Sequence, residues 1–211
     1  MLHKDPFIVS ADAFTLIQQL QAREALSGFF LVGGTALALQ LGHRNSIDID
    51  LFSEKEFQTD DLLEKLSGNF DIKVTVQKPK NTLLAEIDGV KTDFIYHPYQ
   101  QLKTPISEDG ISMLSSEDIA AMKLHAISNS RKRLKDFIDV YFLLQRFSLK
   151  EMMGFHEQKY PRINVLIPMR AITFFDDIDF SMDTPKMKSP ITVQEVRERI
   201  NMAFSFPKKK F

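Results

Sequence analysis

The sequence contains no cysteine, which excludes disulfides and thiolate metal sites and leaves only oxygen or imidazole ligands for a metal. No apolar run approaches the roughly 18–20 residues of a membrane span. The start, Met1-Leu2-His3-Lys4-Asp5-Pro6, lacks the apolar core of a signal peptide. There is no internal repeat, and only Lys208-Lys209-Lys210 is compositionally biased. These absences set the expectation of a chain with no membrane partner and the cytoplasm as its compartment. Its 211 residues, 44% hydrophobic and 26% charged, suffice to bury a core in one domain or two small ones.

Net charge is also nearly absent, at −1, but it is unevenly distributed. Residues 1–110 hold 10 Lys/Arg against 16 Asp/Glu, a balance of −6, whereas residues 111–211 carry +5. That asymmetry fits an acidic metal-binding half and a basic half facing polyanions, or equally a chance spread of solvated charge.

Local signals predict the organisation. Ser10 caps a helix from about Ala11 to Leu26, and Phe29–Val32 reads as a short buried strand. Gly33-Gly34 is a turn, Thr35–Leu41 an apolar helix stopped by Gly42, and Ile47–Phe52 a strand alternating apolar with acid. Thr59 caps a helix to Leu66. Phe70–Val76 is a third strand, and Thr82–Ile87 and Val90–Tyr96 flank Asp88-Gly89, a two-residue hairpin signal. Residues 97–112, with Pro98 and Pro105, are expected to form a loop at the domain boundary, dividing a core at 1–110 from a helical region at 111–211. Helices follow at about 115–128 and 134–146. Capping boxes at Ser148/Glu151 and Thr192/Glu195 open two more, and residues 163–175 are helical with a break at Pro168. The fold class is α+β, a small mixed sheet with helices followed by a mainly helical region.

Chemistry concentrates at two places in the first half. Gly33 and Gly34 lack Cβ atoms, so a phosphate can approach their backbone, and the helix opening at Thr35 offers N–H groups and a hydroxyl. After the 13 residues Thr35–Ile47 come Asp48 and Asp50, which strand alternation places on one face. Two close carboxylates repel unless a cation sits between them, and oxygen-only ligation selects Mg²⁺ or Mn²⁺ with substrate phosphates. Asp93, on another predicted strand, is a third metal ligand and a proton acceptor, or else a strand acid paired with Lys91. Lys123 stands on an otherwise apolar helix, while Asp136 and Asp139 share one helical face. His97 and His125 have no partner at metal spacing and are read as structural.

The run Phe30-Leu31-Val32-Gly33-Gly34-Thr35-Ala36-Leu37-Ala38-Leu39, then His43–Phe52, Glu117–Leu124 and Arg131–Tyr141, resembles the AbiEii/AbiGii toxin family of the nucleotidyltransferase superfamily. The resemblance spans roughly residues 28–145. It implies a polymerase-β-like nucleotidyltransferase core followed by a helical region, acting as the toxin of a toxin–antitoxin pair. Some members transfer nucleotides to the 3′ end of tRNA. By motif position, Asp48 and Asp50 are metal ligands, Gly33, Gly34, Thr35 and Ser46 contact the triphosphate, and Lys123 is its charge partner. Lys135, Asp136 and Asp139 match the next motif, either acid being the acting one. The expected reaction moves NMP from a Mg²⁺- or Mn²⁺-bound NTP to an RNA hydroxyl. The alternatives are a small-molecule or protein hydroxyl as acceptor, or a silent scaffold of the same fold.

Overall fold

The computed structural model describes residues 1–180 and 184–211. The chain divides into two compact units: Met1–Gln100 with Thr104–Leu114, and Gln101–Lys103 with Ser115–Phe211.

The first unit is built on a mixed sheet. Its strands are β1 (Phe29–Leu31), β2 (Ile49–Ser53), β3 (Ile72–Gln77), β4 (Thr82–Ile87), β5 (Val90–Tyr96), β6 (Ile106–Glu108) and β7 (Ile111–Met113), in the spatial order β3-β4-β5-β2-β1-β7-β6. β2 runs parallel to β5 and antiparallel to β1, and β1 runs parallel to β7. Helix α1 (Ala11–Gln21) starts where the Ser10 hydroxyl accepts from Ala13 N and buries Leu16, Ile17 and Leu20. It ends at Gln21, not near Leu26, and a separate 3₁₀ turn covers Glu24–Leu26. Helix α2 (Gly33–Leu41) stops at Gly42, whose φ of +66° a side chain would resist. Helix α3 (Thr59–Ser67) has Gln58, not Thr59, at its N-cap position.

Alternation along β2 buries Ile49, Leu51 and Ser53 and turns Asp50 and Phe52 to the opposite, half-buried face. Asp88 and Gly89 both adopt positive φ, +48° and +81°, and close the β4–β5 hairpin as predicted. Residues 97–112 are not a plain loop. Asp109 and Gly110 repeat the same device, with φ of +54° and +75°, and pair β6 with β7. β7 joins the sheet through Leu31 opposite Met113. The third strand is less covered than its alternation suggests: β3 is an edge, and Val74 and Val76 are exposed.

The second unit is helical: α4 (Ser116–Asn129), α5 (Leu134–Arg146), α6 (Leu149–Lys159), α7 (Leu166–Ala171) and α8 (Val193–Ser205). Here α4 packs on α5, α6 and α7, and α5 packs on α8. Both predicted capping boxes are formed, at Ser148/Glu151 and Thr192/Glu195. Pro168 lies in the first turn of α7, where its missing N–H has no carbonyl to lose.

Inside this unit His125 stacks on Tyr160, with ring centroids 4.2 Å apart, and His156 lies 5.0 Å from the same tyrosine. His156 is fully buried, and among the described residues neither of its ring nitrogens has a hydrogen-bond partner. Burial first, and the neighbouring His125 second, depress its pKa from 6.5 to about 4. The unfolded chain therefore binds a proton at this position below pH 6.5 while the folded chain refuses it until about 4. Stability from this group is complete above pH 6.5 and is lost as pH falls through that window. A His156→Phe variant should flatten the acid limb of the stability curve between pH 6.5 and 4, as read by urea midpoints across pH.

Candidate active site

The short buried strand β1 delivers the chain to Val32, whose N–H donates to the Asp50 carbonyl at 2.9 Å, and then to Gly33. Gly33 has φ +68°, and a Cβ built on it would collide with Asp50 Oδ2. Glycine is thus required both by the backbone and by the carboxylate beside it. A Cβ on Gly34 would sit 2.5 Å from Arg44 Nη2 and 3.0 Å from Ser46 Oγ. The helix α2 opens at Val32, whose side chain makes no cap hydrogen bond, and a helix start of this kind is one that an anion can meet.

Thr35 is buried and fastens this turn to the acidic segment. Its Oγ1 lies 2.9 Å from Ser46 Oγ and in hydrogen-bond contact with the Asp48 carbonyl. Arg44, also buried, donates from Nη1 to the Asn45 carbonyl at 2.8 Å. The loop that presents the acids is therefore held from within, and Gly34, Thr35, Arg44 and Ser46 form one neighbourhood.

Asp48 immediately precedes β2, and Asp50 lies within it. The parallel β2–β5 register sets Asp50 directly against Asp93, and Ile49 against Thr92. Paired positions on adjacent strands lie about 4.8 Å apart and point the same way, so the structure brings two predicted ligands side by side, with Asp48 at the entry. Asp93 is buried. Its Oδ2 is 3.4 Å from Lys91 Nζ, while among the described residues its buried Oδ1 has no hydrogen-bond partner. Burial pushes the Asp93 carboxyl above the ordinary carboxylate range, Lys91 opposes that, and Asp48 reinforces it. Burial works to lower the Lys91 pKa, but Asp48, Asp93 and Asp50 outweigh it and raise it.

These groups fit a hard divalent cation. All donors are oxygens, two are register partners, and an orphaned buried carboxylate oxygen lacks the partner a metal would supply. Among the described residues, no three His, Asp or Glu side chains already stand as a converged ligand set. In the first unit the residues thus supply a platform of carboxylates on strands rather than a closed cage, which suits a metal shared with substrate phosphates.

In the second unit, Lys123 on α4 is buried and its Nζ lies 2.8 Å from Asp136 Oδ1 and 2.7 Å from Asp139 Oδ2. Arg133 Nη2 reaches Asp136 Oδ2 at 2.8 Å. Lys135, half-buried, stands beside Asp136 at the start of α5. Lys123, Asp136 and Asp139 are thus joined, with Arg133, in an ionic cluster in which one lysine is shared by two carboxylates. The i,i+3 spacing of the two acids announced their common face, but nothing local announced that both would close on Lys123.

Residues 15–178 match the model of the nucleotidyl transferase AbiEii toxin family of type IV toxin–antitoxin systems. The chain belongs to that family. A protein of Aquifex aeolicus (strain VF5), described as uncharacterized, is 34% identical over 155 residues, covering 71% of this chain and 74% of that one. Two solved structures share the fold. MenT4, a nucleotidyltransferase toxin of Mycobacterium tuberculosis H37Rv, superposes with a TM-score of 0.57 at 13% identity, over 91% of this chain and 82% of its own. JHP933 of Helicobacter pylori gives 0.52 at 15%, over 92% of each chain. The α+β nucleotidyltransferase fold expected from the sequence is the one observed. As an AbiEii member the chain is a nucleotidyltransferase of the toxin type, an enzyme. No described helix is long and apolar enough to cross a membrane.

One feature of this AbiEii site was not singled out from sequence. Lys91 pairs with Asp93, as the Lys-x-Asp spacing on one strand permitted, and the charges of Asp48 and Asp50 also help hold its pKa up. Arg44, expected from its place before the acidic strand either to meet a phosphate or to cap the loop carbonyls, is buried and donates to the Asn45 carbonyl.

Proposed function

We propose that this AbiEii protein transfers a nucleoside monophosphate from a Mg²⁺- or Mn²⁺-bound NTP to an RNA hydroxyl, with the tRNA 3′ end as the acceptor. The observation that carries this reading is the register pairing of Asp50 with Asp93, beside a glycine that leaves room only for the Asp50 carboxylate. The first unit is read as the catalytic core and the second as its helical companion.

Asp48, Asp50 and Asp93 would hold the divalent ion, which when bound supplies charge neutralisation for the triphosphate and the leaving pyrophosphate. Gly33 and Gly34 admit the triphosphate to the first turn of α2, while Thr35 and Ser46 fix that turn against the acidic loop. The acceptor oxygen forms a bond to the α-phosphorus as the bond from that phosphorus to the bridging oxygen breaks, and pyrophosphate leaves. The hydroxyl proton passes to Asp93, whose burial favours the protonated carboxyl. Lys123, Lys135, Asp136 and Asp139 enter this reading through the family motif alone; within the second unit Asp136 and Asp139 hold the Lys123 ammonium.

RNA is favoured over smaller acceptors by the charge of residues 111–211, +5 against −6 for the first 110. A cognate antitoxin is expected as the opposing partner, and an adjacent antitoxin-like reading frame would support it. The deciding experiment incubates the protein with each α-labelled NTP and Mg²⁺ in three acceptor pools: total tRNA, aminoglycosides and protein. Label at tRNA 3′ ends is the expected result. Label confined to the other pools would overturn the RNA assignment. No label anywhere, with no thermal stabilisation by millimolar Mg²⁺-NTP, would leave only the scaffold reading.

A further inference from the structure

Lys91 stands two residues before Asp93 on β5, so strand alternation sets both side chains on one face. Because Ile49 pairs with Thr92 and Asp50 with Asp93, Lys91 lies one step back along the parallel strands, next to the segment that carries Asp48. On its other flank Lys91 is opposite Glu86 of β4, and Glu86 is opposite Lys73 of β3. Glu86 is already engaged, with its Oε1 2.9 Å from Lys73 Nζ. The Lys91 ammonium turns instead to Asp93 Oδ2 at 3.4 Å, and Asp48 and Asp50 also act on it. Charge therefore alternates across this row of the sheet, and Lys91 is the cation that this row sets against Asp93.

We propose that Lys91 is an internal counter-cation of the carboxylate site, neutralising Asp48, Asp50 and Asp93 in the metal-free protein and withdrawing when a divalent ion binds. The inference rests on the reading that these three acids are metal ligands. Neighbouring carboxylates repel one another, and a cation close to them lowers that cost. An ammonium on a flexible four-carbon stem relieves that repulsion without coordinating. The pairing is loose: 3.4 Å is long for a charge-assisted hydrogen bond, and the Lys91 side chain is 60% exposed. It is thus readily released to solvent. It also leaves Asp93 Oδ1 unsatisfied, so a divalent ion offers the buried carboxylate a contact that the lysine does not make. Metal and lysine then compete for the same negative charge, and the wild-type site binds metal more weakly than its acids alone would allow.

The test is a Mn²⁺ titration of the full chain, following free ion by electron paramagnetic resonance, for wild type, Lys91→Met, Lys91→Gln, Lys91→Arg and Asp50→Asn. Both neutral variants should bind Mn²⁺ about fivefold to tenfold more tightly than wild type, the scale of one partly exposed charge at contact distance. Lys91→Arg should stay near wild type. In EDTA the neutral variants should melt below wild type, and saturating Mn²⁺ should close the gap. Equal or weaker Mn²⁺ binding in Lys91→Met and Lys91→Gln, with wild type still binding better than Asp50→Asn, would overturn the role of Lys91 alone. Loss of any difference between wild type and Asp50→Asn would overturn the metal-ligand reading, and this inference with it.

Discussion

Replacing Asp50 with asparagine is expected to lower nucleotide transfer by roughly a thousand-fold, the scale of several kcal/mol of lost charge stabilisation in the transition state. Asp50 has the most constrained place of the three acids. It is the register partner of Asp93, its carbonyl accepts the Val32 N–H, and its carboxylate fills the space that the missing Gly33 side chain leaves open. Asparagine keeps that shape but removes the charge that would hold a divalent ion. Transfer should therefore collapse while the fold persists. The check pairs label transfer under saturating Mg²⁺-NTP with a urea melt of metal-free protein, whose midpoint should move by no more than about 1 kcal/mol. Retention of at least a tenth of wild-type transfer would remove Asp50 from the ligand set. A large stability loss would instead mean that the carboxylate holds the turn together.

What was legible in the sequence was local chemistry with a geometric consequence. Asp88-Gly89 needs two positive φ values and has them, and Ser148/Glu151 and Thr192/Glu195 close their reciprocal caps. The same logic was available at Asp109-Gly110, but the strands it joins are three residues each, the first of them directly after Pro105. Such short strands carry too little alternation to announce themselves, and β7 is fixed by pairing with β1, some eighty residues earlier in the chain. At the site, alternation put Asp48 and Asp50 on one face, although the strand begins only at Ile49. Their pairing with Asp93 depends on a parallel register, which no local signal encodes. The cluster at Lys123 shows the same limit. Its lysine was conspicuous on an apolar helix, yet both its partners come from α5.

The second large effect is expected on stability, at Lys159. This lysine, on the last turn of α6, is fully buried, with Nζ 2.7 Å from Oδ1 of the fully buried Asp118. Asp118 is a junction: it also accepts from Leu102 N at 3.0 Å, Lys103 N at 3.3 Å and Ser115 Oγ at 2.8 Å. It thereby ties the start of α4 to the segment 101–103, within the second unit. A lysine this deep cannot hold its charge without compensation, and Asp118 supplies a large part of it. Lys159→Met fills much of the same volume but leaves the carboxylate uncompensated, and the expected cost is about 3–5 kcal/mol. The neutral donors around Asp118 offset part of that loss, so the lower end of the range is favoured. By contrast Lys73→Met, which removes an exposed pair with Glu86, should change stability little, because water already screens that charge. Urea denaturation compared with hydrogen exchange of the α4 and α6 amides distinguishes the two cases. Lys159→Met should lower the midpoint and accelerate exchange in both helices, whereas unchanged protection there would mean that Asp118 is held by its hydrogen bonds alone.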